Sequence, residues 1–388
     1  MDTFKVKVGE LDNEMLQQNV KDTLRESFKY VQAEDLEYVK DKALDFHKTQ
    51  VLKDAIVRSA QILERDGDVE QIKVIVDDAM KAGTERDLGH DYKVDFEERY
   101  SETARVTTPT PWDLINELMQ GGLGAGELGV VVAPAGIGKS WVLSAMGAYA
   151  ISQGKNVVHY TLELNESYVG LRYDSIFSGV EGQNLMYHKE EVLEKVERVD
   201  GQLTIKYYPT RSCTVNTLSA HIKKATSFGA EVDMILVDYA DIMRDVGKST
   251  EMRHQLGNIY EDLRGLAGEM QIPIWTASQA NRSALDEDVI EASKVAESYA
   301  KVMTADFVMS LSRKIEDKIG DTGRFHVIKN RFGPDGLTYP ARVNTNIGKI
   351  ELFEAKSAQG KEVQSKIRNR DNQTKQMLSA RYDDLMSD

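Results

Sequence analysis

The chain has 388 residues, 41% of them hydrophobic and 29% charged, the balance of an ordinary soluble protein of about two domains. A net charge of −14 argues against nonspecific coating of nucleic acid, which needs clustered cations, while leaving room for a local basic loop. The single Cys213 excludes an internal disulfide or a cysteine-based zinc cluster.

No apolar run of about 18 residues predicts a membrane span. The acidic N-terminus lacks the apolar core of a signal peptide, and the single cysteine fits a reducing cytoplasm as the expected compartment. Residues 1–83 predict a small all-helical region. Asp12 can cap a helix through "EMLQQNVKDTLRESFKYV". From about Glu34 to Glu64, Leu36, Val39, Ala43, Phe46, Leu52, Ile56, Ala60 and Leu63 fall on one stripe at helical spacing. Asp68 can cap a further helix ending at Gly83. No chemistry is visible there, and packing or oligomerisation is the expectation. Residues 84–108 read as a polar linker, and Pro109 and Pro111 punctuate its end.

Beyond it the pattern changes. The runs "LGVVVA", "NVVHYTLEL", "LTIKYY", "VDMILVDY", "IPIWTAS", "FVMSL" and "FHVIKN" alternate with helical stretches over 109–355. Such alternation predicts an α/β domain with a mainly parallel sheet. Residues 356–388 form a charged tail, frayed or helical.

"VVVAPAGIGKSW" resembles a phosphate loop whose first glycine is replaced by Ala133. Such a loop aims successive backbone N–H groups at an anion and runs into a helix N-terminus. Ala135, Gly136, Ile137 and Gly138 would form the cradle, with Lys139 on the β- and γ-phosphates and Ser140 on Mg²⁺. Ala at the first corner costs little if its φ is negative. Glu163 lies near the end of the next strand, either as the carboxylate that polarises the attacking water or as a surface residue. Asp238 closes an apolar strand, as a Mg²⁺-holding aspartate does. Gln279 could sense the γ-phosphate, with Ser278 and Arg282 beside it. Lys329 and Arg331, two apart, face the same way and suit a cation pair inserted into a neighbouring subunit's site, unless they are a solvated strand end.

Taken in order, "GGLGAGEL", "APAGIGKS", "TLEL", "MILVDYADIM", "SQANR" and "KNRFGP" resemble the motor of DnaB-type replicative helicases, a ring-forming branch of the RecA-like P-loop ATPases, most like those of T-even-type phages. The resemblance implies ATP and Mg²⁺ as cofactors, with Lys139 and Ser140 as phosphate and metal ligands and Glu163 as catalytic carboxylate. It makes Asp238 the magnesium aspartate and Gln279 the γ-phosphate sensor. Arg282 would close the sensor motif, and Lys329 and Arg331 would act in the adjacent subunit. It further implies a homo-hexamer on single-stranded DNA in the cytoplasm, that of the host if the chain is phage-encoded, with a primase and a helicase loader as partners. In the loop "RDVGKSTEMRH", Arg244, Lys248 and Arg253 are the candidate DNA contacts. The preface is shorter than the family's usual collar domain. A RecA-like recombinase or a regulatory ATPase that binds DNA without unwinding it are the alternatives.

Overall fold

A computed structural model describes residues 36–64, 105–247, 251–295 and 299–369, with isolated positions between 72 and 96 and at 376. The chain divides into two compact units, 1–103 and 104–388.

In the first unit, helix α1 (Leu36–Glu64) forms where the spacing predicts it. Among the described side chains of the apolar stripe none is buried. Ala55 and Ser59 are buried, whereas Phe46, Ile56 and Leu63 are exposed. Side-chain periodicity sets which residues share a face, but not whether anything covers it. The helix expected from Asp12 lies outside the described residues, as does the one from Asp68 apart from isolated positions.

The second unit opens with β1 (Thr107–Thr108), α2 (Asp113–Leu118) and β2 (Leu123–Gly124), the two strands pairing antiparallel. The main sheet and its helices follow: β3 (Leu128–Ala133), α3 (Lys139–Ser152), β4 (Val157–Thr161), α4 (Glu166–Ser178), α5 (Lys189–Val196), β5 (Leu203–Tyr207), α6 (Val215–Ser227) and β6 (Met234–Asp238). After these come α7 (Met252–Met270), β7 (Ile274–Gln279), α8 (Ala300–Thr304), β8 (Phe307–Ser312), α9 (Ile315–Ile319), β9 (Thr322–Asn330), β10 (Thr338–Asn344) and β11 (Lys349–Leu352). The nine strands lie in the order β11-β10-β9-β8-β3-β7-β6-β4-β5. From β8 to β5 every pairing is parallel, and β9, β10 and β11 add an antiparallel extension.

All seven expected strands are present. Continuous apolar runs suit strands covered on both faces, and alternate side chains serve two cores. Val131, Ala133, Leu236 and Ala277 pack with α3 and α4 residues such as Val142, Met146 and Val169. Val130, Val132, Val237 and Ile274 pack with Leu218 of α6, Leu263 of α7 and Val302 of α8. The result is a three-layer, mainly parallel α/β unit. A helix over 358–369 follows, with Val363 and Ile367 buried.

Two consequences of this order matter for function. The C-terminal ends of β3, β4, β6 and β7 share one edge, where ligands bind in open parallel sheets. Because β9 runs antiparallel to β8, pairing Asn330 with Phe307, its end lies at the opposite edge.

Candidate nucleotide site

Ala133 is the last residue of β3, fully buried and paired with Gln279 of β7. Its φ is not positive, so the strand ends without needing glycine there. The glycines that the turn needs come next. Gly136 and Gly138 have φ of 69° and 120°, values that L side chains rarely adopt. Gly138 leads directly into α3, so the helix N-terminus with its free N–H groups opens on the loop. Ile137 turns into the core instead, 1% exposed.

This loop forms one wall of a cavity of about 300 Å³, lined by Ala135, Gly136, Gly138, Lys139, Ser140 and, from other elements, Glu163, Arg172, Tyr239, Gln279 and Thr345. Lys139 Nζ lies 3.4 Å from the Pro134 carbonyl oxygen and 5.5 Å from the Tyr239 ring centroid. Burial lowers its pKa, and Asp238, Asp241 and Glu163 pull the other way. Glu163 sits two residues past β4, exposed to the cavity.

Asp238 closes β6 and is 2% exposed. Burial raises its pKa, opposed by the Ser140 hydroxyl as hydrogen-bond donor and by Arg172, while Glu163 adds to the rise. Its Oδ1 is buried without a hydrogen-bond partner among the described residues, and Oδ2 lies 4.0 Å from Arg172 Nη1. A buried carboxylate oxygen without a partner is costly. Beside a serine hydroxyl at a phosphate loop, these hard oxygen donors fit a divalent cation such as Mg²⁺.

Gln279 ends β7 and lines the cavity. Its backbone N–H donates to Asp241 Oδ2 at 2.9 Å, and the Ser278 hydroxyl reaches the same oxygen at 3.2 Å. Tyr260 OH donates to Asp241 Oδ1 at 2.8 Å, and Lys301 Nζ lies 2.9 Å from that atom. Lys301 is 1% exposed. This buried network behind the sensor was not visible in the sequence, because Asp241 and Lys301 lie far apart along the chain on segments without a shared motif.

Lys329 and Arg331 lie at the far edge. Arg331 Nη1 contacts Asp306 Oδ1 at 2.6 Å, and Asp306 Oδ2 accepts from the backbone N–H of Leu128, the first residue of β3. The pair is thus a strand length, roughly 17–20 Å, from its own phosphate loop. Lys329 Nζ donates to the carbonyls of Val302, at 3.0 Å, and Met303. Burial and Arg331 lower its pKa, and Asp306 opposes them.

The remaining expected residues separate. Arg282 is exposed on a short 3₁₀ turn outside the cavity lining. Arg244 is exposed, and Lys248 lies outside the described residues. Arg253, in the first turn of α7, lines a separate cavity of about 660 Å³ with Asn258, Glu261 and Asn281. The sequence reading missed Arg172, Trp141, Tyr239 and Thr345. Arg172 lies 5.4 Å over the Trp141 ring, and burial lowers its pKa against the pull of Asp238 and Glu163. Thr345 comes from the β10–β11 turn, which no motif announced.

Sheet order, phosphate loop and buried aspartate together define a RecA-like P-loop ATPase domain. Residues 109–347 match the DnaB-like helicase C-terminal domain, and the chain belongs to that family, one of ATP-dependent DNA helicases. The DnaB-like replicative helicase of Enterobacteria phage T4 is 26% identical over 332 residues, covering 80% of this chain and 67% of the relative. The replicative DNA helicase DnaB of Helicobacter pylori strain 26695 is 25% identical over 173 residues, 43% of this chain and 35% of the relative, so the chain spans about a third of that protein. Among solved structures, an isolated ATPase domain aligns with a TM-score of 0.58 at 16% identity, covering 68% of this chain and all of that domain. A DnaB-like replicative helicase studied for its interactions with primase aligns at 0.59 and 15%, covering 91% of this chain and 87% of the other. These two show the fold.

Proposed function

We propose that the chain is an ATP-driven, ring-forming replicative DNA helicase, one that translocates on single-stranded DNA and unwinds duplex at the fork. The observation that carries this reading is the division of the catalytic groups between two edges of one sheet. Phosphate loop, Glu163, Asp238 and Gln279 share one edge, while the Lys329–Arg331 pair lies at the other. A site so divided is completed by a second copy of the chain, as closed rings allow.

In this reading Gly136, Gly138 and the start of α3 point N–H groups at the phosphates, and Lys139 binds the β- and γ-phosphates. Ser140 and Asp238 hold Mg²⁺, which when bound neutralises phosphate charge. Glu163 orients the attacking water and draws its proton, and Gln279 contacts the γ-phosphate through its amide. Arg331 of the adjacent subunit stabilises the charge that develops in the transition state. Arg244, Lys248 and Arg253 are the residues proposed to contact the DNA strand. Residues 1–83, with the exposed Phe46, Ile56 and Leu63 of α1, serve assembly through the linker 84–108. A primase and a loader are the fork partners proposed, in the cytoplasm of a host if the chain is phage-encoded.

Two assays test this. ATP hydrolysis should be stimulated by single-stranded DNA and lost in Arg331→Ala while nucleotide binding persists. Normal hydrolysis by that variant would refute the shared site. Forked duplex should be unwound by the chain and left intact by Lys139→Ala. DNA-stimulated hydrolysis without unwinding would favour a regulatory ATPase instead.

A further inference from the structure

Segment 301–306 touches both halves of the divided site. At its start, Lys301 pairs with Asp241, which holds the backbone of the sensor Gln279. At its middle, the carbonyls of Val302 and Met303 at the end of α8 accept from Lys329. At its end, Asp306 holds Arg331 by side chain and by backbone, Arg331 N donating to Asp306 O at 3.0 Å. The free carbonyls of a helix end are ready acceptors for a lysine. Both cations are therefore engaged inside their own subunit and must be released before they can reach a neighbour.

The connection to the sensor is stiff. Asp241 accepts from Tyr260, Ser278 and the Gln279 N–H, and Lys301 also donates to Ser278 Oγ at 3.2 Å. In such a buried, fully bonded cluster, Asp241 cannot shift without Lys301, because separating the charges away from water is costly. The Cα–Cβ bonds of α8 tilt toward its N-terminus, so Lys301 reaches back to the sensor while the carbonyls face the cation pair.

We propose that Asp241 and Lys301 form a positioning pair that links Gln279 to segment 301–306, so that a subunit releases Lys329 and Arg331 to its neighbour only when its own site holds a nucleoside triphosphate. This rests on the shared-site reading above and adds direction to it. The two states are the engaged arrangement seen here and a released one, and the γ-phosphate biases the choice through Gln279.

The test is subunit doping. Chains carrying Lys139→Ala, which removes the phosphate-binding ammonium, are mixed with unmodified chains at equal amounts and allowed to exchange. ATP hydrolysis is then measured without DNA. An empty subunit should silence its own site and the one it serves, leaving about a quarter of the activity. If sites depend only on their own nucleotide, about half remains. The same doping is repeated with every chain carrying Asp241→Asn and Lys301→Met. This neutral pair removes the linkage without stranding a buried charge, and the remaining fraction should rise to about half of that variant's undoped rate. If thermal unfolding shows that this variant does not fold, Asp241→Asn with Lys301→Leu, a second neutral pair, replaces it with the same expected outcome. About half remaining in the unmodified mixture, or about a quarter persisting in the variant, overturns the proposal. Failure of the shared-site reading appears separately, as normal hydrolysis by undoped Arg331→Ala.

Discussion

The two edges of the central sheet treat charge in opposite ways. At the nucleotide edge, Asp238 Oδ1 and Arg172 Nη1 are buried without hydrogen-bond partners among the described residues. At the other edge, Asp306 satisfies Arg331, Arg264 and the Leu128 N–H at once, and Lys329 has two carbonyls. An edge with unmet polar groups is organised for something that arrives. An edge whose charges are met is organised to hold its groups until something draws them away. The first is built like a binding site, the second like a store.

The hardest blow to this comparison would come from Arg331→Ala. If the stored arginine serves a neighbour's transition state, hydrolysis should fall about 10³-fold or more, read as kcat in steady state. Stability should change by less than about 1 kcal/mol, because the side chain is 54% exposed and Asp306 keeps its other donors. A large loss of stability would instead make Arg331 a structural residue of its own subunit.

Asp306→Ala tests the store itself. It leaves Arg264 and the Leu128 N–H facing a hole and frees Arg331. Both arginines are partly exposed, so the main cost is the buried Leu128 N–H left without its acceptor, about 1–3 kcal/mol, to be read as a lowered urea midpoint at unchanged slope. A change under about 1 kcal/mol, the scale of an exposed pair, would mean that the far edge is not held by this carboxylate.

The fold was largely legible because parallel strands covered on both faces appear as apolar runs: six of the seven runs became the parallel strands, and the seventh, "FHVIKN", became part of the antiparallel β9. The hairpin β10–β11 was not, since "TYPARVN" mixes Pro, Arg and Asn and shows no apolar run. It nevertheless delivers Thr345 to the site. Within the site, residues fixed by local backbone chemistry were readable: Gly136 and Gly138 by their turn, Asp238 by closing an apolar strand. Groups brought in by tertiary packing were not. Arg172 is one polar residue on an amphipathic helix, and its approach to Asp238 depends on how α4 lies across the sheet. The stripe of α1 is the converse case, a helix correctly read whose apolar face stays uncovered within the described part of its unit.

The unmet polar character of the nucleotide edge continues behind it, at His159 of β4. Its Nε2 is buried without a partner among the described residues, Nδ1 meets Tyr173 OH at 2.9 Å, and burial aided by Arg172 pushes its pKa down to about 3. The folded chain holds it neutral, whereas unfolded histidine titrates near about 6.5. Between those values the unfolded state binds the extra proton, so the stability present above about pH 6.5 is lost as pH falls. By about pH 5 the loss should be about 2 kcal/mol, measured by urea unfolding across the range from neutral pH down to that point. His159→Gln should flatten that slope, and an unchanged slope would assign the acid sensitivity to other groups.

The smallest expected effect gives the sharpest sign. Burial raises the pKa of Asp238, so its ionised form is held against the preference of the fold. The stability it contributes is complete below its unfolded value and disappears as pH rises through its folded one. At neutral pH without metal or nucleotide, Asp238→Asn should therefore raise stability by about 1 kcal/mol, a few degrees in melting temperature. Adding Mg²⁺ and an ATP analogue should reverse the order, because only the carboxylate offers a charged oxygen to the cation and gains from the linkage. If the asparagine variant is less stable than the parent even without metal, Asp238 is already satisfied by its protein surroundings. The contrast between the two edges would then fail where it is most directly measured.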